Sequence, residues 1–210
     1  MRRYKGIEAA LKSVGIRRFK EQADPNLVSF FLDVACDDAE QDWFHVVKSV
    51  ACVAKLLKTH FPHLDKMFIV WDRAPYYMAT STVNHLAHIG KWTGLKVEEL
   101  NTSNSGDGKT VVDGHFARSK FNVGAHALET HEAVDNASKY AAALNARPLP
   151  MAVAKELQIP ASERKSKPLP AWKNIGLCAK FRYEGGNVRR WMHSGVCLFN
   201  AQSQSTTINH

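Results

Sequence analysis

A chain of 210 residues, 45% of them apolar, has the material for one full domain plus an extension. Its net charge of +8 favours an anionic partner, most simply nucleic acid. No apolar run approaches the roughly 20 residues of a membrane span and no signal-peptide core follows the first arginines, so the expectation is no membrane and an intracellular, reducing setting. Cys36, Cys52, Cys178 and Cys197 form no C-x-x-C pair, show no zinc-like spacing with histidine, and read as reduced thiols.

Residues 1–27 are basic (Arg2, Arg3, Lys5, Lys12, Arg17, Arg18, Lys20) and close on the turn signal Asp24-Pro-Asn. Val28 to Val34 is rich in β-formers and reads as a strand. Asp37, Asp38 and Glu40 then place negative charge where the helix dipole favours it. Trp43, Val47, Val50, Ala54, Leu57 and Phe61 recur at steps of three and four, predicting a helix over about 39–60 that Pro62 stops. Met67 to Trp71 is apolar without alternation, as in a strand covered on both faces, and it ends on Asp72. A helix from Thr80 to Trp92 with Gly94 as its stop, and an alternating strand from Leu95 to Leu100, come next. A glycine-containing loop over 101–108 leads into a helix over 109–123, and a further helix is expected over 130–144. The segment 146–170 holds five prolines (148, 150, 160, 168, 170) and reads as a linker. Two apolar stretches flanking Glu184-Gly-Gly-Asn187 predict a β-hairpin within 171–199, and the polar residues 200–210 read as a disordered tail. Strands alternating with helices make the fold class α/β.

Asp72 closes a buried strand, where α/β proteins gather ligands, and Asp113 lies in the second turn of the helix after the glycine loop. Two carboxylates on neighbouring elements suit magnesium, or manganese in its place, and such a pair can activate water or a 3′-hydroxyl for attack on a phosphodiester. Lys109 precedes Asp113 by one helical turn and can steady a phosphate or pair with Asp113. His115 is open as a phosphate or metal contact. An aspartate at a strand end is also a common loop or cap residue. Gly106-Asp-Gly-Lys-Thr110 has in addition some likeness to a phosphate-binding P-loop, which gives a nucleotide-binding alternative. It lacks the first glycine of that pattern, and the acid-bearing strand precedes the loop rather than following it. A non-catalytic interaction module is the third reading.

Asp33-Val-Ala-Cys-Asp-Asp-Ala-Glu-Gln-Asp-Trp43, Phe68-Ile-Val-Trp-Asp72-Arg-Ala74 with Tyr77, and Gly106-Asp-Gly-Lys109 with Val112-Asp-Gly-His-Phe-Ala117 together resemble transposon-derived proteins with an RNase H-like, DDE-type nuclease core. The resemblance spans about 28–145, and the hairpin is similar to the C-terminal extension of those proteins. It implies an RNase H-like mixed sheet flanked by helices, cut-and-paste chemistry on DNA with magnesium, a nuclear setting, and catalytic, metal-binding roles for Asp72 and Asp113. Where relatives often read Ser-Asp-Asn, this chain has Trp71-Asp72-Arg73, so Arg73 brings a cation, suited to a phosphate, beside the acid. Ser103 and Asn104 stand where a glutamate is common. Val28 to Val34 matches the third strand of such a core, which leaves the opening strand and its acid missing; Asp33 takes that place if this strand is instead the first.

Overall fold

In the computed structural model, which describes residues 30–103, 111–164, 167–192 and 197–202, two sheets share five helices. The basic segment 1–27, the Gly106–Thr110 loop with Lys109, and residues 203–210 of the expected tail lie outside the described residues, while the first three residues of that tail, 200–202, belong to a strand. β1 (Phe31–Ala35) leads through a coil to α1 (Trp43–His60), whose first turn is capped by Asp42: its carboxylate accepts the His45 N–H at 2.9 Å. The helix turns Phe44, Val46, Val47 and Ala54 inward. At its other end Lys58 donates to the Pro62 and Leu64 carbonyls at 2.9 and 2.7 Å, satisfying acceptors just past the last turn.

β2 (Lys66–Trp71) is the edge of a five-stranded sheet and pairs in parallel with β3 (Lys96–Thr102). The sequence predicted a strand covered on both faces, and the structure corrects this: Met67, Ile69 and Trp71 join the core, while Phe68 and Val70 are 62% and 71% exposed. Between these strands the single helix expected over Thr80–Trp92 is two, α2 (Thr80–Leu86) and α3 (Gly90–Thr93). The break is a run of i→i+3 bonds from Ala87, His88 and Ile89, a tightening that swings Gly90 against the start of β3. A Cβ at Gly90 would stand 2.8 Å from Lys96 Cγ, and Gly94, in the left-handed region at φ 74°, ends α3 as expected.

α4 (Val111–Thr130) runs longer than predicted, and α5 (Ala137–Ala146) begins at the Asn136 cap rather than at 130. The proline-rich segment is not a linker. It contains β4 (Ala152–Glu156), which pairs in parallel with β1, Phe31 opposite Ala152 through Ala35 opposite Glu156. Asn145 of α5 bonds both the N–H and the C=O of Ala154, at 3.1 and 3.0 Å, closing part of the strand edge turned away from β1. Three further strands, β5 (Cys178–Glu184), β6 (Asn187–Met192) and β7 (Cys197–Gln202), form an antiparallel meander that joins β3 through β5. The expected hairpin is present, its turn made by Gly185 and Gly186 at φ 56° and 83°. It is part of the main sheet rather than an appendage, since the sheet order is β2-β3-β5-β6-β7.

One face of this sheet and α2 build the core around Val83, Leu86, Ile89, Leu100, Phe181 and Val188, each at most 1% exposed. No helix among the described residues is long and apolar enough to cross a membrane.

His85 and His88 of the α2–α3 segment are buried, and burial pushes both imidazoles below their usual range. His85 Nδ1 lies 2.6 Å from the Ser81 carbonyl, and its ring stacks on Trp43. A histidine depressed in the folded state is protonated more readily in the unfolded chain, so its contribution is complete above the unfolded value and is lost as pH falls. The unfolding free energy should therefore fall below about pH 6.5, with a slope of at most about 1.4 kcal/mol per pH unit for each histidine, and thermal midpoints should fall with it. In His85→Gln/His88→Gln that limb should flatten; an unchanged slope would place the titrating groups elsewhere.

Candidate functional site

Period-two geometry puts Phe31 and Asp33 on the same face of β1, and the i,i+4 relation puts His115 and Ser119 on the same face of α4. These two faces meet. The His115 ring stacks on Phe31, centroids 4.1 Å apart and planes within 6°, and its Nε2 lies 2.7 Å from Asp33 Oδ2. Ser119 Oγ is 3.4 Å from the same nitrogen. The His115 and Asp33 side chains are 7% and 16% exposed, so this charge-assisted contact is largely withdrawn from water. From α5, Tyr140 feels the same carboxylate: burial first, and then the Asp33 charge, push its phenol upward.

Serine, histidine and aspartate in contact suggest a nucleophile triad, but the connectivity is wrong for one. In a triad the carboxylate holds one ring nitrogen and the hydroxyl addresses the other. Here both partners sit on Nε2. The arrangement does the work of a clamp: the histidine of the Asp113-Gly-His-Phe-Ala117 block fastens α4 to β1. His115, expected as a phosphate or metal contact, is committed to Asp33.

Asp113 precedes His115 by two residues, about 200° around the helix, and lies on the exposed side of α4. Asp72 is exposed at the carboxyl end of β2, where its Oδ1 accepts the Ala74 N–H at 3.1 Å in a local turn. Arg73 turns inward rather than toward solvent. Its Nε donates to Thr102 Oγ1 at 3.3 Å, and Thr102 in turn bonds the Cys178 carbonyl at 3.0 Å. Its buried Nη2 has no hydrogen-bond partner. Trp71 is a packing residue, stacked on Tyr77 at 4.8 Å, and burial pushes the Tyr77 phenol up. Among the described residues no cluster of three or more carboxylate, histidine or cysteine donors includes Asp72 or Asp113.

A second feature was not legible as a site in the sequence. Strand register places Phe68 beside Glu99 and Val70 beside Asn101; Glu99 faces Arg182 and Asn101 faces Lys180; Arg182 faces Arg189 and Lys180 faces Trp191. All eight side chains lie on the face opposite the core, spread over four adjacent strands. Glu99 pairs with both Lys180 and Arg182, and the Lys180 contact foremost holds its carboxyl below the usual range. Arg189 and Arg182 also reach Glu184 at 3.3 and 3.9 Å. Around Glu99 this face thus sets Lys180, Arg182 and Arg189 against the carboxylates of Glu99 and Glu184, with an exposed phenylalanine at one side and a half-exposed tryptophan at the other.

Comparison of the chain with protein-family models, curated proteins and solved structures finds no match.

Proposed function

We propose that this chain is a transposase-derived, RNase H-like nucleic-acid-binding domain that holds a DNA strand across the open face of its five-stranded sheet. The observation that carries the reading is the register of that face: Lys180, Arg182 and Arg189 between the aromatic residues Phe68 and Trp191. Cations meet phosphates without regard to sequence, and aromatic rings on a sheet stack unpaired bases. The chain's overall charge of +8 points the same way. An antiparallel meander beside a parallel strand pair in one sheet supports the RNase H-like part of the proposal. Against it, the meander follows the parallel pair in the chain, and β5 meets β3 antiparallel.

The enzyme form of the proposal keeps magnesium or manganese at Asp72 and Asp113 for phosphodiester cleavage or strand transfer. It requires a further donor to complete the centre. A manganese titration by calorimetry on the parent, Asp72→Asn and Asp113→Asn tests it, and no binding in the parent removes it.

The binding reading is tested by fluorescence anisotropy with labelled single-stranded and duplex DNA at several salt concentrations. Single strands should bind more tightly than duplex, and log affinity should fall linearly with log salt, losing at least about tenfold between about 50 and about 200 mM. A flat salt dependence, or equal affinity for a neutral polymer, would remove DNA as the partner.

A further inference from the structure

The coil that joins β1 to α1 brings together three side chains of different donor chemistry. Cys36 follows directly on β1, Asp38 lies two residues on, and His45 belongs to the first turn of α1. His45 Nδ1 is 3.3 Å from Asp38 Oδ2, the Asp38 N–H points to Cys36 Sγ at 3.4 Å, and one donor atom from each of the three lies within 4.8 Å of the other two. All three residues are half-buried, so the cluster is framed by protein and still reachable from solvent.

From this geometry we infer a metal site for a borderline-soft divalent cation of the zinc class. Sulfur, imidazole nitrogen and one carboxylate oxygen at these separations suit a tetrahedral ion with bonds of about 2.0–2.3 Å, and a hard ion such as magnesium has no use for the thiolate. Three protein ligands leave a fourth position for water or an exogenous ligand, the arrangement of zinc sites that do chemistry rather than merely hold a fold. Binding replaces the thiol proton of Cys36, which passes to solvent, by the metal.

The surroundings hold the ligands in place. The His45 N–H is fixed by the Asp42 cap, which sets the first turn and with it the direction of the imidazole. The Asp38 carboxylate also receives the Glu40 N–H at 3.2 Å and the Arg164 guanidinium. These two partners fix the direction of the carboxylate toward the cluster. Arg164 opposes a cation. Its charge is shared among Asp38, Asp42 and Glu40, which leaves the immediate neighbourhood with more negative than positive groups. Arg164 therefore competes with a cation for the Asp38 carboxylate and weakens the site.

The sequence pattern Cys-x-Asp-x6-His matches no common zinc spacing because its donors come from a coil and a helix start. The interval has no fixed period.

The test is a cobalt(II) titration of the full reduced chain, followed by absorption, with zinc used to displace the cobalt. The expected result is one equivalent of cobalt with visible d–d bands of tetrahedral intensity and a near-ultraviolet thiolate-to-cobalt band, all removed by zinc. Cys36→Ser should abolish the thiolate band, and His45→Gln should weaken binding by about tenfold or more. Arg164→Gln should tighten it, which a plain ion-pair cluster does not predict, while Cys52→Ser should change nothing. Circular dichroism of each variant separates loss of ligand from loss of fold. Absence of the thiolate band in the folded parent, or its survival in folded Cys36→Ser, would overturn the site.

Discussion

His115→Ala is expected to cost about 3 kcal/mol of folding stability, the upper end for leaving a largely buried polar group without its hydrogen-bond partner. The alanine leaves Asp33, 16% exposed, without the donor 2.7 Å away, and strips the stacked ring from Phe31. The cost comes mostly from the carboxylate left behind, and this gives the test its sign. Asp33→Asn/His115→Gln should recover a substantial part of the loss, because a neutral amide pair keeps a hydrogen bond without a stranded charge. Urea unfolding of the parent, Asp33→Asn, His115→Gln and the double variant closes the cycle, and a coupling of at least about 1 kcal/mol is expected for groups in direct contact. If His115→Ala lies within about 0.5 kcal/mol of the parent, as ordinary surface substitutions do, the clamp contributes nothing to stability.

That pair also marks where sequence reasoning stops. Asp33 and His115 both stood out by residue type, but 82 positions separate them, and nothing in local periodicity tells which helix face will meet which strand face. What was legible is local chemistry. α1 follows from its apolar spacing and from Pro62, the β5–β6 turn from two glycines that accept positive φ, and the end of α3 from Gly94. What was hidden depends on partners. β4 looked like linker because prolines flank it and its five residues carry little signal until β1 lies alongside. The apolar run of β2 reads as covered on both faces because composition reports hydrophobicity and not position in a sheet, and at the edge Phe68 and Val70 stay open. Lys180 and Arg182 lie in the predicted hairpin, but whether their side of the strand faces a helix or solvent is settled by topology alone.

Trp191→Ala should weaken single-stranded DNA binding by about 1–3 kcal/mol, roughly five- to 150-fold, if one base stacks on it. Arg182→Gln and Arg189→Gln should act differently: each removes a phosphate contact, so affinity falls and the slope of log affinity against log salt becomes shallower by about one. The tryptophan change leaves that slope nearly intact, because stacking releases no counterions. Glu99→Gln supplies a change of opposite sign. Glu99 now occupies Lys180 and Arg182, and neutralising it frees both cations for phosphate, so DNA should bind more tightly and with a steeper salt dependence. A destabilised protein does not bind better, which makes this gain difficult to mimic by misfolding. If Glu99→Gln and Trp191→Ala both match the parent while DNA still binds in a salt-dependent way, the contact lies off this sheet, and the basic residues between Arg2 and Lys20 become the place to look.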